Sequence, residues 1–69
     1  MRRVAANYVT WHNHRLTNHV VEILDGRVVN VYPLKGEIAM TEWLGGTIEI
    51  DGDQAWHRKK SDSKLQLLK

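Results

Sequence analysis

The sequence predicts a small, mainly β fold built on a central hairpin. Two runs rich in β-branched residues, His19–Leu24 and Arg27–Leu34, flank an Asp25-Gly26 pair. Gly26 adopts positive φ angles without steric cost and Asp25 tolerates them better than most residues, so the pair favours a tight reversal between antiparallel strands. We therefore expect a small antiparallel meander, or a curled sheet resembling half of a barrel, around this hairpin.

The size and composition of the chain limit what such a fold can contain. With 69 residues the chain is one small domain, and without cysteine it has neither a disulfide nor a thiolate metal ligand. A hydrophobic content of 42%, including three Trp, favours a folded chain over a disordered one. No apolar run is long enough to cross a bilayer, and the N-terminus lacks the apolar core of a signal peptide. These features predict a cytoplasmic protein with no membrane partner.

The charge distribution suggests how the chain is divided. The formal net charge is +2, but the basic residues cluster in Arg2-Arg3 and after His57, whereas the middle of the chain carries most of the acidic residues. We therefore expect one β domain at residues 1–57 and a basic C-terminal tail at residues 58–69. Disorder of this tail and docking of its leucines as a last turn or strand are both compatible with the sequence.

Two segments precede the hairpin. Arg2–Trp11 has the composition of a first strand, and both of its faces are partly apolar. Residues 12–18 are polar and rich in side chains that bond to their own backbone. For these residues we expect a connection with a short extended piece at Arg15 and Leu16.

The register of the hairpin depends on its turn. A turn of two residues places Ile23 opposite Val28 and Val21 opposite Asn30. Neither face of this hairpin is cleanly polar, so part of the second face should be covered by a curled sheet, a packed segment or another subunit. A bulge at the turn would shift one strand and exchange its faces, and the sequence leaves this alternative open.

Shorter elements are expected after the hairpin. Pro33 cannot donate to a strand ladder, so the second hairpin strand should end there or lie at an edge. Residues 37–44 carry apolar side chains at helical spacing, which favours a loop with one short helical turn. Gly45-Gly46 then opens a strand at Thr47–Ile50, and a second turn allows Gln54–His57 to return as a short strand.

Histidines supply the sharpest local pattern. His12 and His14 are separated by one residue, so on a strand they point to the same side and can share a divalent metal ion. A working site needs a third or fourth ligand, and the sequence does not show whether His19, Glu22 or His57 comes near. Because the complete ligand set of zinc is missing, we predict no metal and no other cofactor.

Nothing else in the sequence indicates catalysis. No spacing brings two carboxylates together predictably, no Ser or Thr lies in a nucleophile elbow, and Gly45-Gly46 is too short to cradle a phosphate. A metal-binding protein or enzyme that uses His12 and His14 stays an alternative. The sequence favours a protein without catalytic residues.

The tryptophans allow a further alternative. Trp11, Trp43 and Trp56, together with the basic tail, could form a stacking platform for single-stranded nucleic acid. The other half of such a site, a basic groove within the folded body, is not visible in the sequence. Large aromatics in so small a chain more often lie in a core or an interface, so we expect no nucleic-acid partner.

Three segments, Arg3–Val9, Val20–Val29 and Gly46–Ile48, resemble the N-terminal β segment of metal-dependent amidohydrolases in their spacing. In that family these strands belong to a small β-sandwich beside a catalytic TIM barrel. After Ile48 this chain has no metal-binding His-x-His motif and no barrel, and His12 and His14 come too early in the order to replace that motif. The resemblance therefore implies the non-catalytic β part alone.

These observations favour a non-enzymatic β module that mediates self-association or another protein interaction. A small chain without disulfides, with two partly apolar strand faces, gains stability from an oligomeric interface, so we expect a homodimer. In this hypothesis aromatic and valine side chains complete a shared core. The residues assigned to the interface are Tyr8, Trp11, Val29, Val31, Trp43 and Trp56.

Overall fold

A computed structural model describes residues 1–36, 39–59 and 64–69, and in these residues seven strands form one sheet. The prediction of a mainly β fold is confirmed. The described residues contain no helix that is long and apolar enough to span a membrane. The strand order is β3-β2-β1-β5-β6-β7, and β4 also pairs with β1. The strands are β1 (Arg2–Trp11), β2 (His14–Leu24), β3 (Arg27–Pro33), β4 (Thr41–Trp43), β5 (Thr47–Asp51), β6 (Gln54–Arg58) and β7 (Leu65–Leu68).

β1 is the centre of the sheet. Along one side it pairs antiparallel with β2, and along the other it pairs parallel with β4 and then with β5. Ala5 lies opposite Trp43 and Tyr8 lies opposite Thr47, so β1 advances three residues while its partner segment advances four. The passage from β4 to β5 therefore contains one extra residue, which makes it a bulge against β1.

Gly45 and Gly46 accommodate this extra residue. Their φ angles are +67° and +62°, a conformation that side chains other than glycine adopt only with strain. The side-chain oxygen of Asn7 accepts a hydrogen bond from the Gly46 N–H at 2.9 Å, and the Tyr8 N–H donates to the Gly46 carbonyl at 3.1 Å. Asn7 therefore replaces the ladder bond that the bulge removes.

β2 is longer than the sequence predicted. The chain reverses at His12 and Asn13, whose φ angles are +50° and +64°, and β2 begins at His14. Two successive residues at positive φ give a turn whose twist matches that of antiparallel strands. The predicted connection over residues 12–18 is therefore mostly strand. The sequence did not indicate this turn because it contains no glycine.

The hairpin turn lies at Asp25-Gly26 as predicted, but the register changes beyond it. Ile23 lies opposite Val28, whereas Val21 lies opposite Val31 and not opposite Asn30. The shift arises because β3 contains one extra residue between Val28, which pairs with Ile23, and Asn30, which pairs with Glu22. The bulge that the sequence left open is thus present, and it turns Val31 toward the core.

The predicted helical turn at residues 37–44 is wrong. Residues 37 and 38 lie outside the described part of the chain, residues 39 and 40 form a turn, and Thr41–Trp43 is strand β4. The Leu44 N–H donates to the Ala5 carbonyl at 2.8 Å, so the segment continues along β1 after β4 ends. Hydrogen bonds to a neighbouring strand outweigh the helical spacing, because one isolated helical turn is costly to nucleate.

The sheet curls around one hydrophobic core without closing on itself. The curl brings the start of β3 against the turn between β5 and β6, where the Val28 N–H donates to the Asp53 carbonyl at 2.6 Å. The core is therefore covered within one chain, by the curled sheet that was one of the expected alternatives. Its buried members are Val4, Ala6, Val9, Val21, Ile23, Ile48, Ala55 and Leu68.

The C-terminal leucines dock on the sheet. β7 pairs antiparallel with β6, and Leu68 is buried opposite Ala55. Arg58, expected to begin the tail, is the last residue of β6. Docking, one of the two alternatives for the tail, therefore describes residues 65–68.

Candidate functional site

A cleft lined by basic residues lies on the outer face of the sheet, opposite the core. It has a volume of about 310 Å³. Tyr8, Thr47 and Arg58 form one row across β1, β5 and β6, so their side chains stand on the same face. We call this site the basic cleft. Its lining residues are Asn7, Tyr8, Arg15, Gly46, Thr47, Arg58 and Lys59.

Arg15 reaches the cleft by lying over an aromatic ring. Its guanidinium carbon is 3.8 Å from the centroid of the Tyr8 ring, which is a close cation–π contact. This contact fixes the plane of the guanidinium while leaving the N–H groups at its edges free to donate. In the part of the chain that the structure describes, neither Arg15 nor Lys59 has a carboxylate within 4 Å.

Arg58 is the one cation of the cleft with an acidic neighbour. Its Nη2 lies 2.9 Å from Oε2 of Glu49 on β5. Oε2 is buried but receives no well-aligned hydrogen bond, so the pair is a close ionic contact and not a directed one. Arg58 therefore keeps donors available, and the cleft carries three cations against this one carboxylate.

The wall of the cleft is fixed from the core side. His57 points into the core and is buried, and its Nε2 lies 2.9 Å from the Gly45 carbonyl oxygen. A carbonyl oxygen only accepts, so Nε2 carries the proton of this hydrogen bond. On the outer face the Asn7 amide holds Gly46. The glycine bulge is thus attached on both sides, which gives the cleft a rigid wall.

An exposed aromatic edge adjoins the basic cleft. Trp43 is 54% exposed and Met40, three residues earlier, is 87% exposed. A Cβ atom at Gly45 would lie 3.6 Å from Asn7 Oδ1 and 3.8 Å from Trp43 Nε1, so the indole lies beside the Asn7 wall. Within the described ranges β4 pairs only with β1. We call this unpaired side of β4, with Met40 and Trp43, the β4 edge.

Elsewhere on the outer face, charged groups are fully engaged with one another. Glu22 Oε2 accepts hydrogen bonds from Arg3 at 2.7 Å and from Tyr32 at 2.9 Å, and these bonds lower the pKa of Glu22. Burial, and then the bond to Glu22, raise the pKa of Tyr32. At the rim of the core-facing side, Arg2 bonds Glu42 at 2.8 Å and lowers its pKa in the same way. These contacts join neighbouring strands.

The histidines are not gathered into one site. His12 and His14 are exposed near the first turn, and the His12 ring lies 4.6 Å from that of Trp11. Of the further ligands considered, His19 bonds the Thr17 carbonyl and His57 is in the core. In residues 1–36, 39–59 and 64–69 no group of three or more His, Asp or Glu side chains could hold a metal ion.

The predicted interface residues occupy separate places. Tyr8 lies in the basic cleft and Trp43 at the β4 edge. Val29 is 52% exposed at the β3 bulge, while Val31 packs against the core. Trp11 is half-buried at the end of β1, and the half-buried Trp56 lines a neighbouring depression with Glu49. The residues do not form one patch.

Sequence reasoning missed Arg15, and it considered Arg58 and Lys59 only as part of a basic tail and not as part of the folded sheet. Arg58 follows Trp56 by two residues, and the alternation of side chains along a strand could have placed it on the same face. Arg15 could not be found in this way, because residues 12–18 were interpreted as a connection. Its position depends on a turn that has no glycine signal.

A larger depression lies elsewhere, between the hairpin tip and β7. It measures about 770 Å³ and is open to solvent. Its rim carries both charges, including the exposed Arg27 and Asp53, which lie 3.7 Å apart. The depression thus carries carboxylates as well as cations, unlike the lining of the basic cleft.

Comparison with known proteins leaves the function to be argued from these surfaces. No protein-family model, curated protein or solved structure matches the chain. The resemblance to the N-terminal β segment of amidohydrolases stays a prediction.

Proposed function

We propose that this protein is a non-enzymatic binding module that associates with a second copy of itself, or with another protein, through the β4 edge. The observation that carries the proposal is an unpaired strand edge flanked by an exposed Trp and an exposed Met. An unpaired strand presents backbone donors and acceptors to an incoming strand, and large apolar side chains beside it add burial. Trp is also the residue most enriched in the energetic centres of interfaces.

The β3 edge of the sheet is poorly suited to the same role. The Val28 N–H donates to the Asp53 carbonyl, and the Val31 N–H is held by the side-chain oxygen of Asn30 at 3.0 Å. Pro33 has no N–H. Three positions of β3 are therefore closed to an incoming strand, so β4 is the better suited of these two edges.

Because the core is complete within one chain, we expect this association to be weak. Val21 and Ile23, expected to need covering, are buried within the chain. The partner therefore adds to a protomer that is already folded and does not complete its core. We expect a small interface and a dissociation constant in the micromolar range, as in transient complexes.

Light scattering after size-exclusion chromatography tests the proposal across a range of protein concentrations. We expect the wild type to shift from monomer to dimer, and Trp43→Thr to stay monomeric where the wild type is dimeric. Val29→Thr is the matched control, because Val29 is almost equally exposed but lies on the closed edge. A wild type that is monomeric up to about 1 mM would refute self-association, since this corresponds to only about 4 kcal/mol of binding free energy. Equal loss in the two variants would show that the β4 edge is not the interface.

A further inference from the structure

We propose that the basic cleft binds single-stranded nucleic acid, with phosphate groups at Arg15, Arg58 and Lys59 and bases against the neighbouring aromatic rings. The proposal shares Trp43 with association at the β4 edge, and its tests use residues outside that edge. The sequence argued against nucleic acid because no basic groove was visible in the folded body. The structure places one there, built from strands that are far apart in the chain.

The positive charge of the basic cleft is the first observation that supports this proposal. Three cations line a concave site of about 310 Å³, and among the described residues only Arg58 has a carboxylate within 4 Å. Positive charge that is left unbalanced in a cleft is focused by the surrounding protein and concentrates anions there. The depression near the hairpin tip differs in having two carboxylates, Asp25 and Asp53, in its lining.

The hydrogen-bond donors that the cleft leaves available are the second observation that supports the proposal. The Tyr8 ring holds the plane of the Arg15 guanidinium, which prepares its N–H groups for the oxygens of a phosphate. Asn7 uses its side-chain oxygen to hold Gly46, so its amide N–H groups are left to donate. The Thr47 hydroxyl lies in the same lining. The cleft thus combines charged and neutral donors, as phosphate contacts in nucleic-acid complexes do.

Aromatic rings favour a nucleic acid over a simple anion or an acidic peptide. Tyr8 lies within the cleft, and the exposed Trp43 lies beside its Asn7 wall. Trp56 lies beyond the contact between Arg58 and Glu49, in the neighbouring depression. Cations and rings therefore alternate over the outer face. Single strands alternate phosphates and bases in the same manner, and proteins bind them by this combination without reading sequence.

Fluorescence anisotropy of a labelled oligothymidylate of about twelve nucleotides tests the proposal on the full chain. We expect a dissociation constant in the micromolar range, as for sequence-independent binding. With three phosphate contacts on a single strand, the logarithm of affinity should fall with that of salt concentration with a slope of about −2. Binding that is absent at about 100 μM protein and low salt would overturn the proposal.

Lys59→Gln tests the position of the site. Removing one phosphate contact should weaken binding about fivefold at about 0.1 M salt and lower the slope by about 0.7. Lys69→Gln is the matched control, because it makes the same charge change beside Arg2, at the opposite end of β1. Equal effects of the two variants would mean that only the net charge matters, and would contradict a site in the cleft.

The variant Tyr8→Thr and two competing ligands test whether bases of the nucleic acid contact the aromatic rings. Loss of the ring removes a surface for bases and the support of the Arg15 guanidinium, so it should weaken binding, with circular dichroism confirming the fold. If this variant does not fold, the competitors decide. Inorganic phosphate and oligoglutamate of equal length should compete poorly with an unlabelled oligothymidylate. Equal competition by either one would reveal a general anion site and refute the assignment to nucleic acid.

Discussion

Two parts of the sheet are built differently. β1, β2 and β3 are antiparallel strands of 7 to 11 residues, and they are joined by turns of two residues. β4 to β7 are strands of three to five residues, and β4 and β5 join this group to β1 by parallel pairing. The contacts of Glu22 engage outer charges of the hairpin part. The second part carries exposed Trp43 and Lys59, and among the described residues no carboxylate lies within 4 Å of Lys59.

The difference shows where stability and binding are separated in this molecule. Long local strands supply much of the core, and the contacts of Glu22 engage the charges on one stretch of their outer face. The short strands add the rest of the core on one face. On the other face they meet Tyr8 and Arg15 of the hairpin part, and there donors and rings are left unused. A surface with unsatisfied groups is the region where ligands bind, so the junction of the two parts is the place to look for function.

The largest expected effect tests whether the two parts share one core. Ile23 and Ile48 are both buried, one in the hairpin and one in β5, and both belong to the same cluster. We expect Ile23→Ala and Ile48→Ala each to lower the free energy of unfolding by about 2–5 kcal/mol, in a single transition. Urea unfolding measures the loss.

Hydrogen exchange at Val21 in β2 and Ala55 in β6 distinguishes one cooperative core from two parts that open independently. Both amides should lose protection together in either variant, because one cooperative core links the strands. Faster exchange at Ala55 alone in Ile48→Ala would instead show that the second part opens independently of the hairpin.

A smaller effect concerns the glycine bulge between the two parts. His57→Leu removes the donor to the Gly45 carbonyl and leaves that carbonyl without its side-chain partner. We expect a loss of about 1 kcal/mol, with larger amide shift changes at Gly46 than in the hairpin. His57→Gln is the matched control, since it retains a side-chain N–H. A Leu variant as stable as the wild type would show that the hydrogen bond contributes nothing to the fold.

The smallest effect is a pH dependence that compares one carboxylate from each part. The pKa values of Glu22 and Glu42 are lowered by hydrogen bonds from Arg3 and Arg2, so each carboxylate stabilises the fold in its charged form. This contribution is complete above the ordinary Glu pKa of about 4.3 and is lost as the pH falls through the lowered pKa.

Melting temperatures between about pH 7 and about pH 3 measure this dependence. Glu22→Gln should melt below the wild type at the higher pH, and the difference should shrink on acidification. The same change at Glu42 should matter less, because its side chain is 53% exposed and that of Glu22 only 12%. A difference that grows on acidification would contradict the direction of the Glu22 shift.

Sequence reasoning recovered the hairpin part better than the second part. Asp25-Gly26 signals its turn directly, and the strands on either side are long enough for their composition to decide. The strands β5 and β6 were also predicted, near Thr47–Ile50 and Gln54–His57. β4 was not, because a strand of three residues has no periodicity of its own and depends on the free side of β1.

The candidate site was the least predictable feature. Tyr8 and Trp43 were selected as large aromatics for an interface, but their neighbours could not be inferred. Tyr8 meets Arg58 only through the pairing of β1, β5 and β6. Arg15 comes from a turn made by His12 and Asn13, whose residue types give only a weak signal for positive φ. Such contacts depend on pairing between segments distant in sequence.

The parallel pairing of β1 with β5 also has a consequence for the order of assembly. Tyr8 and Thr47 are separated by most of the chain, whereas each hairpin turn closes a loop of only a few residues. Closing the longer loop costs more entropy, so β1 and β2 can pair while the other side of β1 is still unpaired. During synthesis that side of β1 stays unpaired until β5 has left the ribosome. It is therefore the part of the nascent chain that would need protection.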